Sequence, residues 1–487
     1  MSLKWSRPWV LPAALLGFEL CLLGAAVSFH RLAGQSGGTL AIGSLFATIR
    51  GGIALCAAAG AVALAVAIGR QFRSLRESSP RRLQFAVVAN LMVVAAVALV
   101  GELAVRFLST PTSRGPVFAC IPPVFEGFRL RPRLWEEVVA FYGPLVEKSA
   151  APDLYIVRDD LLGWSVGKSR RSTNGLYFAS AEGIRSGREG VAFAEEPRPR
   201  RRIALVGDSQ TFGWEIRFED SWGHQLEKLL GPGYQVLNFG VTGYGVDQAF
   251  LRYKRDVVPW KPEIVLFGIL PHDVKRSMAV YCFLDFPTWE YPYSKPRFSV
   301  EGGELKLSNS PVLAPEEIFA RESIHGLPFL ALDPAYSPES WRRGVRSRLH
   351  LARLLFPEKR SEPDLNRGAL AEEVRTVNAG ILRAFERLAT AEGSLPIAVY
   401  LPAKADFDAP DDPEGTPALA RSVLDLAGIE VVDVTDAVRA LPEGERHSRG
   451  DSSESHFSRL ACTRIAERLA GAIRGKIPAV KPADKRP

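Results

Sequence analysis

Predominantly apolar runs occupy residues 9 to 29, about 52 to 69 and 85 to 107. Each is long enough to cross a hydrocarbon core of ~30 Å as a helix. From residue 202 onward the rhythm changes. Short apolar runs appear at 203 to 208 (IALVGD), 235 to 240 (QVLNFG), 263 to 270 (EIVLFGIL), 396 to 402 (PIAVYLP) and 429 to 434 (IEVVDV). Runs of this length read as buried parallel strands. Helical patterns lie between them near 221 to 230, 247 to 257, 367 to 392, 415 to 427 and 457 to 474. The order βαβαβαβαβα predicts an α/β fold, a doubly wound parallel sheet with helices on both faces, preceded by an N-terminal bundle of three transmembrane helices.

The pattern divides the chain into a transmembrane region at 1 to 108, an irregular extension at 109 to 200 and an α/β domain at 201 to 476, with a disordered tail at 477 to 487. Residues 276 to 365 insert between the third strand and the next helix, and part of this insertion is expected to form a lid over the site. Within it, 340 to 356 (SWRRGVRSRLHLARLLF) has apolar residues near helical spacing and is expected to pack on the domain with a solvated basic face, a membrane-surface helix being the alternative.

Charge decides the orientation. The stretch 70 to 84 carries Arg70, Arg73, Arg76, Arg81 and Arg82, whereas 30 to 41 carries Arg31 alone. Positive residues stay inside, so the arginine-rich loop is cytoplasmic. Three crossings from a cytoplasmic N-terminus then put everything after 108 on the outer side of a bacterial-type inner membrane, in the periplasm or the extracellular space. Lys4 and Arg7 precede the first run as in a signal peptide, but no convincing small-residue cleavage site follows. Glu19, Arg50 and Glu102 lie at or near the spans; pairing within the bundle and snorkelling account for them.

A formal charge of +7 does not imply a nucleic-acid partner, because the arginines are scattered and no binding signature accompanies them. The cysteines at 21, 56, 120, 282 and 462 show no metal spacing, and no metal or organic cofactor is predicted. On the outer side Cys120 and Cys282 either pair or remain free thiols.

The strongest chemical signal is GDSQTFG at 207 to 213, directly after the first predicted strand. Open α/β sheets bind ligands at the carboxyl ends of their strands. A serine there exposes its hydroxyl and can turn its backbone N–H toward a developing oxyanion. Gly-Asp-Ser alone is also a common turn. Three further blocks follow in order: NFGVTGYG at 238 to 245, FGILPHDV at 267 to 274, and SESHFSRLACTRIAERL at 453 to 469.

Over about 200 to 476 these blocks resemble the GDSL/SGNH hydrolase superfamily. The resemblance implies a flavodoxin-like, SGNH-type sheet, with Ser209 as nucleophile and His456 as general base. It also implies an oxyanion hole built from Ser209, Gly243 and the third block. That block departs from the family pattern, since His272 stands where an Asn is usual, just before Asp273. The acid also departs: Glu454 is the first choice and Asp451 the competitor, and a backbone carbonyl could serve instead. Residues 160 to 186 resemble a segment that precedes the first block in membrane-anchored relatives. Other histidines, at 30, 224, 325, 350 and 447, fall outside the matched blocks.

The function implied is ester hydrolysis through an acyl-serine, on acyl esters of carbohydrate or lipid. Two alternatives stay open. One is O-acyl transfer to a cell-envelope polysaccharide on the same machinery. The other is a degenerate binding module, suggested by the two departures. Protein partners are not legible.

Overall fold

A computed structural model describes residues 10–35, 49–78, 80–110, 117–118, 134–195, 201–286, 289–341, 344, 348–356, 363–448 and 456–476. The chain divides into two compact units. One comprises 1–141 with 338–361, the other 142–337 with 362–487.

The first unit is helical: α1 (Val10–Gln35), α2 (Ile49–Ser78) and α3 (Pro80–Leu108). Small residues let α1 and α2 approach closely, since a side chain on Gly60 would stand 3.2 Å from Cys21 Sγ and one on Gly24 3.6 Å from Ala57. Glu19 is paired, accepting a 2.9 Å hydrogen bond from Asn90 Nδ2. Among the described residues one helical stretch, Val87–Leu108, is both long and apolar enough to cross a membrane; the apolar stretches Ala14–Ala25 and Leu55–Gly69 are shorter. Its flank exposes Val88, Leu91, Met92, Leu99 and Val100.

The arginine-rich stretch of the insertion also belongs to this unit, where its described helical part is only His350–Leu355. Glu102 accepts from the N–H groups of His350 and Leu351 at 2.9 and 2.8 Å. The predicted solvated basic face is therefore incomplete: Arg353 is buried and grips Glu137 with two hydrogen bonds, at 2.6 and 2.9 Å.

The second unit is the α/β domain. Helix α4 (Trp135–Ser149) contains the unit boundary and leads to a hairpin, β1 (Ile156–Asp159) and β2 (Gly163–Val166). The central sheet follows with β3 (Arg201–Val206), β4 (Tyr234–Asn238), β5 (Ile264–Ile269), β6 (Leu395–Tyr400) and β7 (Val431–Asp433). Its spatial order is β7-β6-β5-β3-β4, parallel throughout. This is the doubly wound order whose switch point falls between β3 and β5.

Alternation along each strand builds two cores, because successive side chains point to opposite faces. Ala204, Val206, Val265, Phe267, Ala398 and Tyr400 join one cluster. Ile203, Leu205, Ile264, Leu266, Ile397 and Val399 join the other. The first face is covered by α5 (Val246–Arg252), α6 (Gly368–Ala391) and α7 (Thr416–Ala427). Helix α6 buries Val374, Val377, Asn378, Ile381, Leu382 and Phe385, a stripe at the three-and-four spacing. The second face is covered by the helices Trp222–Leu230 and Arg459–Arg474.

The described part of the extension packs into the first core. Leu162, Trp164 and Ile184 are fully buried in the first core. Trp164 Nε1 donates to the Thr242 carbonyl at 2.9 Å, and Tyr244 Oη returns a 2.7 Å bond to the Trp164 carbonyl, bracing the second block. The described part of the insertion in this unit includes an antiparallel hairpin, Arg297–Glu301 with Glu304–Ser308. Cys282 is a free, fully buried thiol, so the pairing with Cys120 is not formed; Cys120 itself lies outside the described residues.

Candidate active site

The chain leaves β3 through Gly207, whose φ of +152° suits glycine. A Cβ there would press into Thr211 Oγ1 and stand 2.8 Å from the Gly268 carbonyl of β5. Asp208 caps the single helical turn Ser209–Phe212, accepting from Gln210 N at 2.9 Å, and Gly213 ends it in the left-handed region at φ +78°. Ser209 is therefore the first residue of a helical turn, where an N–H has no partner within the helix. Its Oγ lies 2.9 Å from His456 Nε2 and 3.4 Å from Asp208 Oδ2. The shorter contact favours a proton shared with the imidazole.

His456 sits on a strap ahead of the last helix. Ser448 N–H donates to the His456 carbonyl at 2.8 Å, while Phe457 N–H donates to Gln210 Oε1 at 3.1 Å. A bridge between His447 and Phe457 and the cap of Ser458 on Ala461 N fix the rest. Burial pushes the imidazole below the ordinary histidine value. Asp208 and Glu215 pull it up, and Arg276 adds to the lowering.

The carboxylate that the described structure brings to His456 is Glu215. Its Oε2 stands 3.5 Å from Nδ1, an ion-pair distance longer than a formed hydrogen bond, and accepts from His456 N–H at 3.3 Å and from Ser448 Oγ. Glu454 and Asp451 lie outside the described residues. Sequence reasoning passed over Glu215 because it follows the first block and not the fourth. Its one local signal is an acidic residue set between Trp214 and Ile216.

Gly243 adopts φ +79°, and a side chain on it would meet the Trp289 ring at 2.9 Å. Trp289 thus brings the insertion to the expected oxyanion loop. Gly240 and Gly245 are held by close backbone approach, to Phe212 N and Ser277 N. His272 is exposed at the start of the turn Asp273–Arg276. Desolvation by the surrounding chain, then the Arg276 and Lys275 cations, push it down to about 4. At neutral pH the imidazole is therefore uncharged, with one N–H to give.

Arg276, another residue the sequence did not single out, joins the corner together. Its Nη1 reaches Asp208 Oδ2 at 3.0 Å and Asp273 Oδ1 at 2.7 Å, and its guanidinium lies 5.1 Å from the Trp289 ring centre. Burial, then the Asp208 charge, drive Asp273 well above the usual carboxylate range. Among the described residues no cluster of His, Cys, Asp and Glu could hold a metal ion.

A serine hydroxyl at hydrogen-bond distance from an imidazole, beyond a parallel strand and beside a sheet switch point, is an arrangement that can perform nucleophilic attack and proton transfer. No family profile matches the chain, and no curated protein matches it. Solved structures are similar to part of the chain. A structure described as a lipolytic protein of the G-D-S-L family from Desulfitobacterium hafniense shares 13% identity, covering 56% of this chain and 99% of its own at a TM-score of 0.29. A lipase/acylhydrolase from Enterococcus faecalis shares 13% identity over 58% of this chain and 100% of its own, TM-score 0.31. A catalytic mutant of an acetylxylan esterase from Geobacillus stearothermophilus shares 15% over 56% and 94%, TM-score 0.31. The α/β unit itself is a parallel five-stranded sheet with helices on both faces.

Proposed function

We propose that the chain is a membrane-anchored, extracytoplasmic serine esterase that hydrolyses acyl esters of carbohydrate or lipid. The observation that carries this reading is the 2.9 Å contact between Ser209 Oγ and His456 Nε2. His456 takes the Ser209 proton as Oγ attacks the ester carbonyl, then returns it to the leaving alcohol. Water, activated by the same imidazole, releases the acid. The N–H groups of Ser209 and Gly243, with the neutral His272 as third donor, stabilise the oxyanion. The exposed apolar flank of Val87–Leu108 supports the anchor, since about 22 residues at 1.5 Å each span the hydrocarbon core.

The same helix favours a second reading. A unit tethered at the membrane has surface polymers as neighbours, and an acceptor hydroxyl in place of water makes the acyl-serine a transferase intermediate. The test uses the intact chain in detergent, a fluorophosphonate probe and p-nitrophenyl acetate with and without an added oligosaccharide. Labelling of the wild type and none of Ser209→Ala is expected; a folded wild type that takes no label would leave only the binding-module reading. Transfer exceeding hydrolysis would select the acyltransferase.

A further inference from the structure

We infer that Glu215, delivered by the loop after the nucleophile, is the positioning carboxylate of His456. The proposal rests on the esterase reading of Ser209 and His456. An imidazole acting as base at Nε2 must keep its proton on Nδ1, and a carboxylate facing Nδ1 fixes that tautomer and stabilises the imidazolium that forms. Glu215 Oε2 is placed there at 3.5 Å, on the ring nitrogen opposite the one that faces Ser209.

Three further features set Glu215 apart from an incidental neighbour. Its side chain is only 8% exposed, so its charge acts with little screening by water. Its backbone is held at φ +71°, a conformation that favours glycine or asparagine, and Tyr177 Oη fixes it by accepting from Glu215 N–H at 2.9 Å. The same oxygen that faces Nδ1 also accepts from His456 N–H and Ser448 Oγ, so the carboxylate aligns strap and ring together. Nδ1 itself is buried and has no formed hydrogen bond among the described residues, which leaves the carboxylate positioned to close on it when the ring becomes charged.

In the step itself the Oγ–H bond breaks, the Oγ–C bond forms, and the carbonyl π pair moves onto oxygen. The proton goes to Nε2. Glu215 stays ionised throughout and Nδ1 keeps its own proton.

The experiment compares Glu215→Gln, Glu454→Gln and Asp451→Asn in the intact, detergent-solubilised chain. It measures kcat and KM for p-nitrophenyl acetate and follows the His456 ring by NMR titration. The expected result for Glu215→Gln is a kcat lower by about a hundredfold or more with KM little changed. The His456 midpoint should fall by about one unit, because an opposite charge has been removed. Glu215→Asp should recover part of both. A Glu215→Gln enzyme with unaltered titration and kcat, beside a Glu454 or Asp451 variant that loses both, would overturn the assignment.

Should Glu215→Gln fail to fold, the low-pH Nδ1 proton resonance of His456 decides in the other two variants. Retention in both supports Glu215, and loss in either overturns it. A wild type that takes no fluorophosphonate label sinks the esterase reading instead, while the titration still reports on Glu215.

Discussion

At the corner carrying Ser209 the chain is locked by the absence of side chains, whereas at the strap carrying His456 it is held by side chains arriving from far along the sequence. Gly207, Gly240 and Gly268 leave no room for a Cβ, each being pressed by backbone or by Thr211. The strap depends on Glu215 and Gln210, which are 241 and 247 residues away from their backbone partners at His456 and Phe457. Steric locking is local, so it leaves a readable motif, GDS with flanking glycines. Hydrogen bonding between distant segments leaves none. The difference also predicts how each region fails: the corner through loss of folding, the strap through misplacement of the proposed base, His456, in an otherwise folded domain.

The largest effect should come from filling the corner. Gly207→Ala places a Cβ against Thr211 Oγ1 and 2.8 Å from the Gly268 carbonyl, at a φ that alanine disfavours. The carbonyl belongs to β5 and cannot retreat without breaking the sheet. A loss of about 3 kcal/mol or more is expected, read as a lowered denaturant midpoint of the α/β unit. A variant with wild-type stability would show that the corner is not sterically locked.

A smaller effect is expected at the strap. Gln210→Ala removes the acceptor of Phe457 N–H, and one hydrogen bond to a buried backbone group is worth about 1–2 kcal/mol. Because Phe457 adjoins the base, part of that loss should appear as disorder of His456. The expected outcome is a kcat about tenfold lower, with the unfolding midpoint lowered less than in Gly207→Ala. Equal losses at Gly207 and Gln210 in both stability and kcat would erase the distinction between the two regions.

The same division explains what the sequence made legible. The five strands were readable because buried parallel strands are continuous apolar runs, and Ile264–Ile269 is buried at every position. Ser209 and His456 were readable as parts of motifs. Glu215 and Arg276 were not, since a charged residue in a loop carries no mark of the partner it will meet after folding. Trp289 was hidden for the same reason, within an insertion whose polar and aromatic residues have no period. The three apolar runs are all helical, and among the described residues Val87–Leu108 combines the length and apolarity of a span.

The smallest effect, and the one that probes the strap without altering it, is in the acid limb of the pH profile. A protonated His456 cannot accept the Ser209 proton, so kcat/KM must fall as pH drops through the pKa of the imidazole in the free enzyme. Burial sets that pKa below the ordinary value near 6.5, with Arg276 acting in the same direction and Asp208 and Glu215 opposing. The limb should therefore have its midpoint below that of an exposed histidine, and activity should persist into mildly acidic solution. His272, pushed down to about 4, titrates lower still and should add no break in that interval. Removing the Arg276 charge should raise the midpoint, whereas removing the Glu215 charge should lower it. A midpoint above 6.5 in the wild type would mean that the carboxylates outweigh burial, and that the strap holds its base closer to Glu215 than 3.5 Å in solution.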